Sequence, residues 1–415
     1  MIAPSYTMTP EELATYETAM ADCLSAIDAR DTPRAVQHLS NVATVVDVPA
    51  TRGERSEVEP VGEIGAEEGR FAFILHWLEA DDIQMLDPAL RGLPRPARER
   101  LAERLGEVGG PSVLSHVRVR GADGSTAVGD FIAIPCSAAQ LMAMDPQDAA
   151  ERVQAAVDLG VARGARIVGL GGYTSIVTRA GLTLDPLGAA LTTGNGFTIE
   201  AALMAAEHGC AILGRDQAKI TAAIVGAAGS IGSGLIQILS GRVRQLYLFV
   251  NPATPYAKSF GRLRRSLTVA LKAHQAGTLE ARPGTILDRA TASADAYQTP
   301  EELAEALLTD PDFFVISTSC ADDLKAAEIV YSATSSTEKL IRPEDLRPRS
   351  MVCDLSRPGN ISHRCREERD DVLLFDGGVI NFPGRPELGL GYDMPKGVSF
   401  ACVAETAILA LKKHY

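Results

Sequence analysis

Cysteine is scarce in this sequence, and none of the seven cysteines forms a CxxC pair with another. An odd number of scattered cysteines indicates neither a disulfide framework nor a zinc site. The first residues also lack the basic start and the apolar core of a secretory signal peptide. These absences predict a protein of a reducing compartment, and we expect it to be cytoplasmic.

An excess of positive charge is missing as well. The 40 Lys and Arg residues face 53 Asp and Glu residues, which gives a formal net charge of −13. This balance argues against nucleic acids and anionic membrane surfaces as partners. The uncharged residues 220–241 approach the length of a membrane span but contain five glycines. They fit a strand, a glycine turn and a helix better, so we predict no membrane span.

What the sequence does contain is typical of a folded protein of several domains. It has 415 residues, of which 46% are hydrophobic and 22% charged. Residues 1–69 hold 13 acidic residues and 4 arginines, so 4 − 13 = −9 of the net charge lies there. We predict a helical extension for this segment, with helices over residues 10–29 and 31–45. Either a solvated appendage or a docking arm for a partner explains its charge.

From Phe71 onward the patterns predict an α/β protein. Two strands joined by a DG turn form a hairpin over residues 113–134, and residues 97–106, 145–162 and 197–208 have helical spacing. Six apolar runs then alternate with helices, which predicts a Rossmann-type, doubly wound parallel sheet. The predicted domains are an acidic extension (1–69), a second α/β domain for the substrate (70–214), the Rossmann domain (215–392) and a C-terminal helix (393–415) that returns to the substrate domain.

A glycine-rich turn, VGAAGSIGSG, follows the first of these six strands and opens a helix. Gly226, Gly229 and Gly232 allow a tight turn, a close approach of the main chain to a phosphate, and helix-to-strand packing. The N-terminus of the helix would offer N–H groups to the anion. In this context we predict dinucleotide binding. The other predicted contacts in the turn are Ala228, Ser230 and Ile231.

The residue after the next strand bears on the choice of cofactor. Asn251 stands where a site for NAD usually has an acidic residue, so no carboxylate repels a 2′-phosphate. A basic run follows, consisting of Lys258, Arg262, Arg264 and Arg265. We predict NADPH as cofactor, with Arg264 near the phosphate. The alternative is that these residues are ordinary surface charges.

Cys402 is the candidate nucleophile. Ser399 is predicted to cap the last helix, which places Cys402 in its first turn, where partial positive charge lowers a thiol pKa. Glu405 lies one turn later and could orient a group or take part in proton transfer. The competing interpretation is that Cys402 is a small buried hydrophobe. Cys136, at another junction of strand and helix, is the chief rival nucleophile.

Five segments together resemble the long-chain acyl-[acyl-carrier-protein] reductases. They occur in the order and approximate spacing of that family. They are GLGGYTSIV (169–177), LTTGNGFT (191–198), VGAAGSIGS (225–233), LLFDGGVI (373–380) and FACVAETA (400–407). The sequence departs from the family in its N-terminal extension and in ending soon after the nucleophile helix.

The resemblance implies NADPH-dependent reduction of an acyl thioester to an aldehyde through an acyl-enzyme on Cys402. It implies an acyl-carrier protein or a CoA thioester as partner. We expect no metal site, because the scattered cysteines and dispersed histidines form no zinc-binding pattern. The sequence leaves a homo-oligomer open. Loops that we predict to line the substrate and cofactor contain Gly171, Gly172, Tyr173, Thr174, Ser175, Thr193, Gly194, Asn195, Thr334, Ser335, Gly377 and Gly378. Two other functions remain open: a dehydrogenase or imine reductase without covalent catalysis, and a nucleotide-binding sensor without turnover.

Overall fold

A computed structural model describes residues 65, 67–77, 82–83, 92, 94–121, 123–292, 294–336, 338–382, 385–389 and 394–415. The predicted acidic extension and its two helices lie outside these residues, apart from its last few positions. The described chain forms two compact units. The first is Ile199–Gly378, and the second consists of the described residues up to Thr198 and from Val379 to Tyr415.

The secondary structure alternates between strands and helices along most of the chain. The strands are β1 Gly69–Trp77, β2 Ser112–Arg120, β3 Thr126–Ser137, β4 Ile167–Leu170, β5 Ala190–Thr192, β6 Thr221–Val225, β7 Gln245–Phe249, β8 Phe314–Ser317, β9 Ile329–Ser332, β10 Met351–Asp354, β11 Leu373–Asp376, β12 Val379–Asn381 and β13 Val398–Phe400. The helices are α1 Arg95–Val108, α2 Ala138–Ala143, α3 Pro146–Ala162, α4 Tyr173–Val177, α5 Asn195–Ile212, α6 Ser230–Leu239, α7 Tyr256–Gln275, α8 Ile286–Thr291, α9 Pro300–Thr309, α10 Cys320–Asp323, α11 His363–Glu368 and α12 Ala401–Leu411.

The first unit is a doubly wound parallel sheet, which confirms the predicted fold class. Its strand order is β11-β10-β9-β6-β7-β8, and all five pairings are parallel. Numbered within the sheet, this is the order 3-2-1-4-5-6 of the Rossmann fold. Ala222 and Ile224 pack on one side of the sheet, whereas Ala223 and Val225 pack on the other. The alternation of apolar residues on both faces explains why the sequence shows this strand as an unbroken apolar run.

The second unit contains a mixed sheet of order β2-β3-β1-β4-β5. β2 and β3 are antiparallel and form the predicted hairpin, whereas β3, β1, β4 and β5 run parallel to their neighbours. The central strand β1 was not predicted from the sequence. Phe73 and Ile74 of this strand are buried on opposite faces, against two separate clusters of apolar side chains. Within the described ranges, no helix is both long enough and apolar enough to cross a membrane.

Candidate functional site

In the second unit, the predicted substrate loops emerge at one edge of the sheet. The loop GGYTS follows β4, and the segment TTGN begins at Thr192, the last residue of β5. β4 pairs in parallel with both β1 and β5. The carboxyl ends of these three strands therefore lie side by side, as at the binding edge of other parallel sheets.

Helix α12 crosses this sheet with its N-terminus at the same edge. Gly69 and Gly194 allow the helix to lie close to the sheet, because a Cβ at either position would overlap the helix. Gly69, at the start of β1, lies against the carbonyl of Ala410 near the helix C-terminus. Gly194, just after β5, lies against Cys402 in the first turn. The helix thus runs opposite to the strands and brings Cys402 to the edge where TTGN lies.

Cys402 is half-buried at the second position of α12. The prediction that Ser399 caps this helix is wrong: Phe400 occupies the N-cap position, and no side chain caps the helix. Ser399 belongs instead to β13, which pairs with β12, and its hydroxyl is buried without a hydrogen-bond partner among the described residues. The partial positive charge of the helix N-terminus is therefore not offset by a capping side chain.

Glu405 faces the segment that follows β5. Its Oε2 accepts a hydrogen bond of 2.7 Å from the main-chain N–H of Phe197, and its Oε1 accepts one from the hydroxyl of Thr192. Gly194 N–H donates to the same Thr192 oxygen at 3.2 Å. From the sequence, Glu405 was expected to orient a group or to take part in proton transfer, and neither Thr192 nor Phe197 was predicted as its partner. The structure thus brings Cys402, Glu405, Thr193, Gly194 and Asn195 together, with Thr193 and Asn195 half-buried.

His76 organises the other loop, although no pattern in the sequence selects it. Its Nε2 accepts a hydrogen bond of 2.9 Å from the N–H of Tyr173, and its Nδ1 lies 2.8 Å from the carbonyl of Trp77. Complete burial lowers the pKa of His76 to about 4, so the ring is neutral. Gly172 has φ 54°, and a Cβ there would lie 2.8 Å from His76 Nε2.

The remaining residues of that loop are held by their own main chain. Gly171 N–H donates to the carbonyl of Ile74. The hydroxyls of Thr174 and Ser175 donate to the carbonyls of Gly171 and Gly172, both at 2.8 Å. Thr174 is buried, whereas Ser175 is half-buried. These bonds fix a short turn in which the side chain of Ser175 stays partly accessible.

The rival cysteine, Cys136, is placed less favourably than Cys402. Its side chain is completely buried, its Sγ lies 3.6 Å from the carbonyl of Gly106, and burial raises the pKa of the thiol. Cys320 is half-buried, and burial raises its thiol pKa to about 11. Cys353 is completely buried in β10. Cys23 lies outside the described residues.

In the first unit, the glycine-rich turn joins β6 to α6 where the strand order reverses. Gly226 has φ 89°, and a Cβ there would lie 2.5 Å from the carbonyl oxygen of Ala333, so only glycine fits. Gly232 packs against the main chain of Gly226 in the same way. Gly229 is the N-cap of α6, which no side chain caps. Ala228, just before the N-cap, is half-buried. In the first turn, Ser230 is exposed and Ile231 is half-buried.

Two further loops at this edge are tied together by a buried polar network. Asp354 accepts main-chain N–H bonds from Ser356 and Asn360, and burial raises its pKa. Asn360 donates to the carbonyls of Ser336 and Glu338 in the loop after β9. Thr334 N–H donates to Ser356 Oγ at 3.1 Å. The predicted residue Thr334 is thus fixed by its main chain, and Ser335 beside it is exposed.

Other predicted cofactor residues have local partners. Asn251 Oδ1 accepts a hydrogen bond of 2.8 Å from the N–H of Ala253, which makes a turn. Arg264 forms an ion pair of 2.7 Å with Glu305 on the neighbouring helix α9. Gly378 N–H donates to Asp376 at 3.1 Å. The contact that was expected to select NADPH therefore uses an arginine that is already paired.

Comparison with known proteins gives limited likeness. No family model matches the chain. An aminotransferase, PigE of Serratia sp. (strain ATCC 39006), is 27% identical over 305 residues, which are 72% of this chain and 30% of that protein. The chain therefore spans less than a third of the length of this curated relative.

The structural likenesses are weak. An ornithine carbamoyltransferase of Coccidioides immitis matches 100% of this chain and 99% of its own at TM-score 0.35 and 10% identity. A chain of the dipicolinate synthase of Bacillus halodurans matches 59% of this chain and 66% of its own at TM-score 0.26 and 13% identity. At TM-scores this low, neither match carries an argument about function.

The comparison with PigE contradicts the function expected from the five segments. The curated relative is named an aminotransferase, not an acyl-[acyl-carrier-protein] reductase. By this comparison three predictions are wrong. They are membership of the acyl-[acyl-carrier-protein] reductase family, the reduction of an acyl thioester to an aldehyde, and NADPH as the cofactor. An acyl-carrier or CoA partner has no support in it either. Segments rich in glycine recur for reasons of backbone geometry, as at Gly194 and Gly226, which explains how such a resemblance arises.

The name aminotransferase implies pyridoxal phosphate, and the residues of this chain do not fit its covalent attachment. Pyridoxal phosphate enzymes hold the cofactor as a Schiff base on a lysine, and a lysine is activated for such chemistry by burial. All eight lysines of the chain lie in described ranges and are exposed. Several are engaged in surface ion pairs: Lys219 with Asp216, Lys272 with Glu301, Lys412 with Asp123 and Lys413 with Glu67.

A borohydride experiment tests this disagreement. The protein is incubated with pyridoxal phosphate, reduced with borohydride and digested, and the modified lysines are counted by mass spectrometry. We expect low, scattered modification of several exposed lysines, because none of the eight is a buried amine that would react selectively. Stoichiometric modification of one lysine would contradict this expectation.

Proposed function

We propose that the unit Ile199–Gly378 binds the phosphate group of an organic phosphate at the turn between β6 and α6. The observation that supports this most strongly is the uncapped N-terminus of α6 at the reversal of the strand order. The positive end of a helix and its main-chain N–H groups favour an anion. Gly226 and Gly229 keep side chains out of the approach to this terminus.

Charge at the first helical position tests the proposal. A Ser230→Asp substitution places a carboxylate at the exposed first residue of α6. There the negative charge interacts favourably with the helix dipole but repels a phosphate. We expect affinity for the phosphate compound to fall at least about tenfold while stability is unchanged or higher. Ser230→Asn, of similar size but neutral, is the control and should bind within about threefold of the unchanged protein.

The ligands in this titration distinguish the sources of the phosphate. Isothermal titration calorimetry uses adenosine monophosphate, pyridoxal phosphate and inorganic phosphate in separate runs. Binding of one organic phosphate, weakened by Ser230→Asp and not by Ser230→Asn, supports the proposal and identifies the class of ligand. Equal binding by both variants, or no binding of any of the three by the unchanged protein, refutes it.

A second candidate function concerns the other unit. We propose that Cys402 is the nucleophile of a group-transfer reaction. Its position at the uncapped N-terminus of α12, half-buried at the carboxyl edge of the sheet, supports this role. In such a reaction the thiolate attacks an electrophilic carbon and the leaving group departs with the electron pair. Transfer of the carbon to an acceptor then restores the thiolate.

The rate of alkylation tests the reactivity of Cys402. Cys320 is the internal control, because it is also half-buried but has a thiol pKa raised to about 11 by burial. With iodoacetamide at neutral pH, we expect Cys402 to react at least about tenfold faster than Cys320. Peptide mass spectrometry follows both sites, and Cys402→Ser should remove the fast adduct. Faster reaction of Cys320 or Cys136 would refute the assignment.

A further inference from the structure

We infer that Glu405 is a positioning residue that holds the segment 192–197 against Cys402. The inference rests on the proposed role of Cys402 as a nucleophile, but the contacts of Glu405 stand independently of it. Its role differs from that of an acid or base, because each of its carboxylate oxygens already accepts a hydrogen bond from the segment.

The two hydrogen bonds hold the segment at its two ends, Thr192 and Phe197. Oε1 accepts from the Thr192 hydroxyl at the end of β5, and Oε2 accepts from Phe197 N–H in the first turn of α5. The second bond satisfies one of the N–H groups that an α-helix leaves without a partner at its start. Glu405 thus caps α5 from another helix and fixes the chain between Thr192 and Phe197.

Between these two hydrogen-bonded positions, Gly194 contacts Cys402, the residue that carries the thiol. Gly194 has φ 71°, and its Cα packs against Cβ and Cα of Cys402 so closely that a Cβ would overlap them. Gly196 leaves room for the carboxylate itself, since a Cβ there would lie 3.2 Å from Glu405 Oε2. The main chain therefore forms the wall beside Cys402, and its position depends on Glu405.

The helix supplies the correct spacing for this arrangement. Residues three apart lie on one face of an α-helix, so Cys402 and Glu405 both face the segment. On the next residue, the Thr406 hydroxyl donates to the carbonyl of Cys402 at 3.1 Å, a hydrogen bond within α12 that does not involve Glu405. Removing the carboxylate should therefore release the wall while leaving α12 in place.

Hydrogen exchange and alkylation together test the inference. The full chain is compared with Glu405→Ala, Glu405→Gln and Thr192→Val, and Glu151→Ala serves as the control, since Glu151 is an exposed glutamate on α3 of the same unit. Exchange of the Phe197 amide is measured by mass spectrometry with fragmentation, and the pH profile of Cys402 alkylation by iodoacetamide is measured in parallel.

We expect Glu405→Ala to speed exchange of the Phe197 amide at least about tenfold, because its acceptor is lost. Thr192→Val removes the hydroxyl that donates to Glu405 and accepts from Gly194 N–H, while the carboxylate stays in place. It should therefore change the rate of Cys402 alkylation at least about threefold. Glu405→Gln keeps an oxygen acceptor, so it should restore slow exchange. It also removes a negative charge near the thiol, so the midpoint of its alkylation profile should move to lower pH.

Unchanged exchange of the Phe197 amide in Glu405→Ala would overturn the inference, as would Glu405→Gln behaving like Glu405→Ala. The exchange measurement does not involve Cys402 reactivity. If Cys402 proves unreactive in the unchanged protein, the proposal that it is a nucleophile fails. Slow exchange of the Phe197 amide that depends on Glu405 would still show that Glu405 holds the segment 192–197. Glu151→Ala should match the unchanged protein in both measurements.

Discussion

A Gly194→Ala variant is expected to lose about 2–5 kcal/mol of the free energy of unfolding of the second unit. A methyl group at this position would overlap Cβ and Cα of Cys402, and forcing extra atoms into a packed site costs about 1–3 kcal/mol. The φ of 71° is also left-handed, which costs a residue with a Cβ about 1–2 kcal/mol. The two costs add because they have different causes.

The single tryptophan of the chain makes this measurement specific. Trp77 is completely buried in the second unit, so its fluorescence during urea unfolding reports on that unit rather than on the sheet that carries the glycine-rich turn. Gly188→Ala is the matched control. Gly188 has φ 83° in the same unit, but a methyl group there would meet open space, with nothing within 4 Å. It should therefore lose only about 1–2 kcal/mol.

The difference between the two variants isolates the contact with Cys402. A loss in Gly194→Ala no larger than in Gly188→Ala would mean that the TTGN segment does not lie against Cys402. A larger loss would support the wall that Glu405 is inferred to hold, because the same main chain makes both contacts.

The six-stranded sheet could be predicted from the sequence because its signals are local. Each strand is a short apolar run, and each is followed by turn residues and helical spacing. The turn at Gly226, Gly229 and Gly232 could be located for the same reason, since glycine is needed wherever the main chain packs this closely. The order of the strands was not predicted, because it depends on which strands pair side by side in the sheet and not on a local pattern.

The surroundings of Cys402 could be predicted only in part. The segments TTGN and FACVAET were selected, but their contact depends on a pairing between positions far apart in the chain, such as Thr192 with Glu405. His76 was missed because nothing in the run FAFILHW distinguishes a polar residue that will be buried from one at a strand end. The assignment of Ser399 as a cap failed because a strand, not a loop, precedes α12.

Function was harder to predict than fold for a related reason. The five segments share glycines and small residues whose conformations recur in many α/β proteins. Arg264 supported NADPH in the sequence because it is basic and follows the second strand of the sheet. In the structure its charge is matched by Glu305 across two helices. A charge can be read from a sequence, but its partner cannot.

The second large effect expected concerns pH and His76. Burial lowers its pKa from 6.5 to about 4 in the folded protein. Between these values the unfolded chain binds a proton that the folded protein does not, so acid favours unfolding. The free energy of unfolding should be unaffected by this group above about pH 6.5 and should fall by about 2 kcal/mol by pH 5, with the loss levelling off below about pH 4.

The comparison must be made between variants because other groups titrate in the same range. Burial raises the pKa of Asp354, which acts in the opposite direction, and lowers that of His208, which acts in the same direction, but both belong to the first unit. His76→Gln removes the titrating group and keeps an oxygen that can accept the Tyr173 N–H. His414→Gln, at an exposed histidine of the second unit, is the control.

Urea unfolding followed by Trp77 fluorescence at pH 7.5 and pH 5 gives the result. The unchanged protein and His414→Gln should lose about 2 kcal/mol more than His76→Gln between the two pH values. The reason is that the neutral His76 ring accepts the N–H that starts the GGYTS turn, and a protonated ring has no lone pair to accept it. Equal losses of the free energy of unfolding in all three proteins would mean that His76 is accessible to water in the folded state. The His76 ring would then not be the group that holds the GGYTS turn in place.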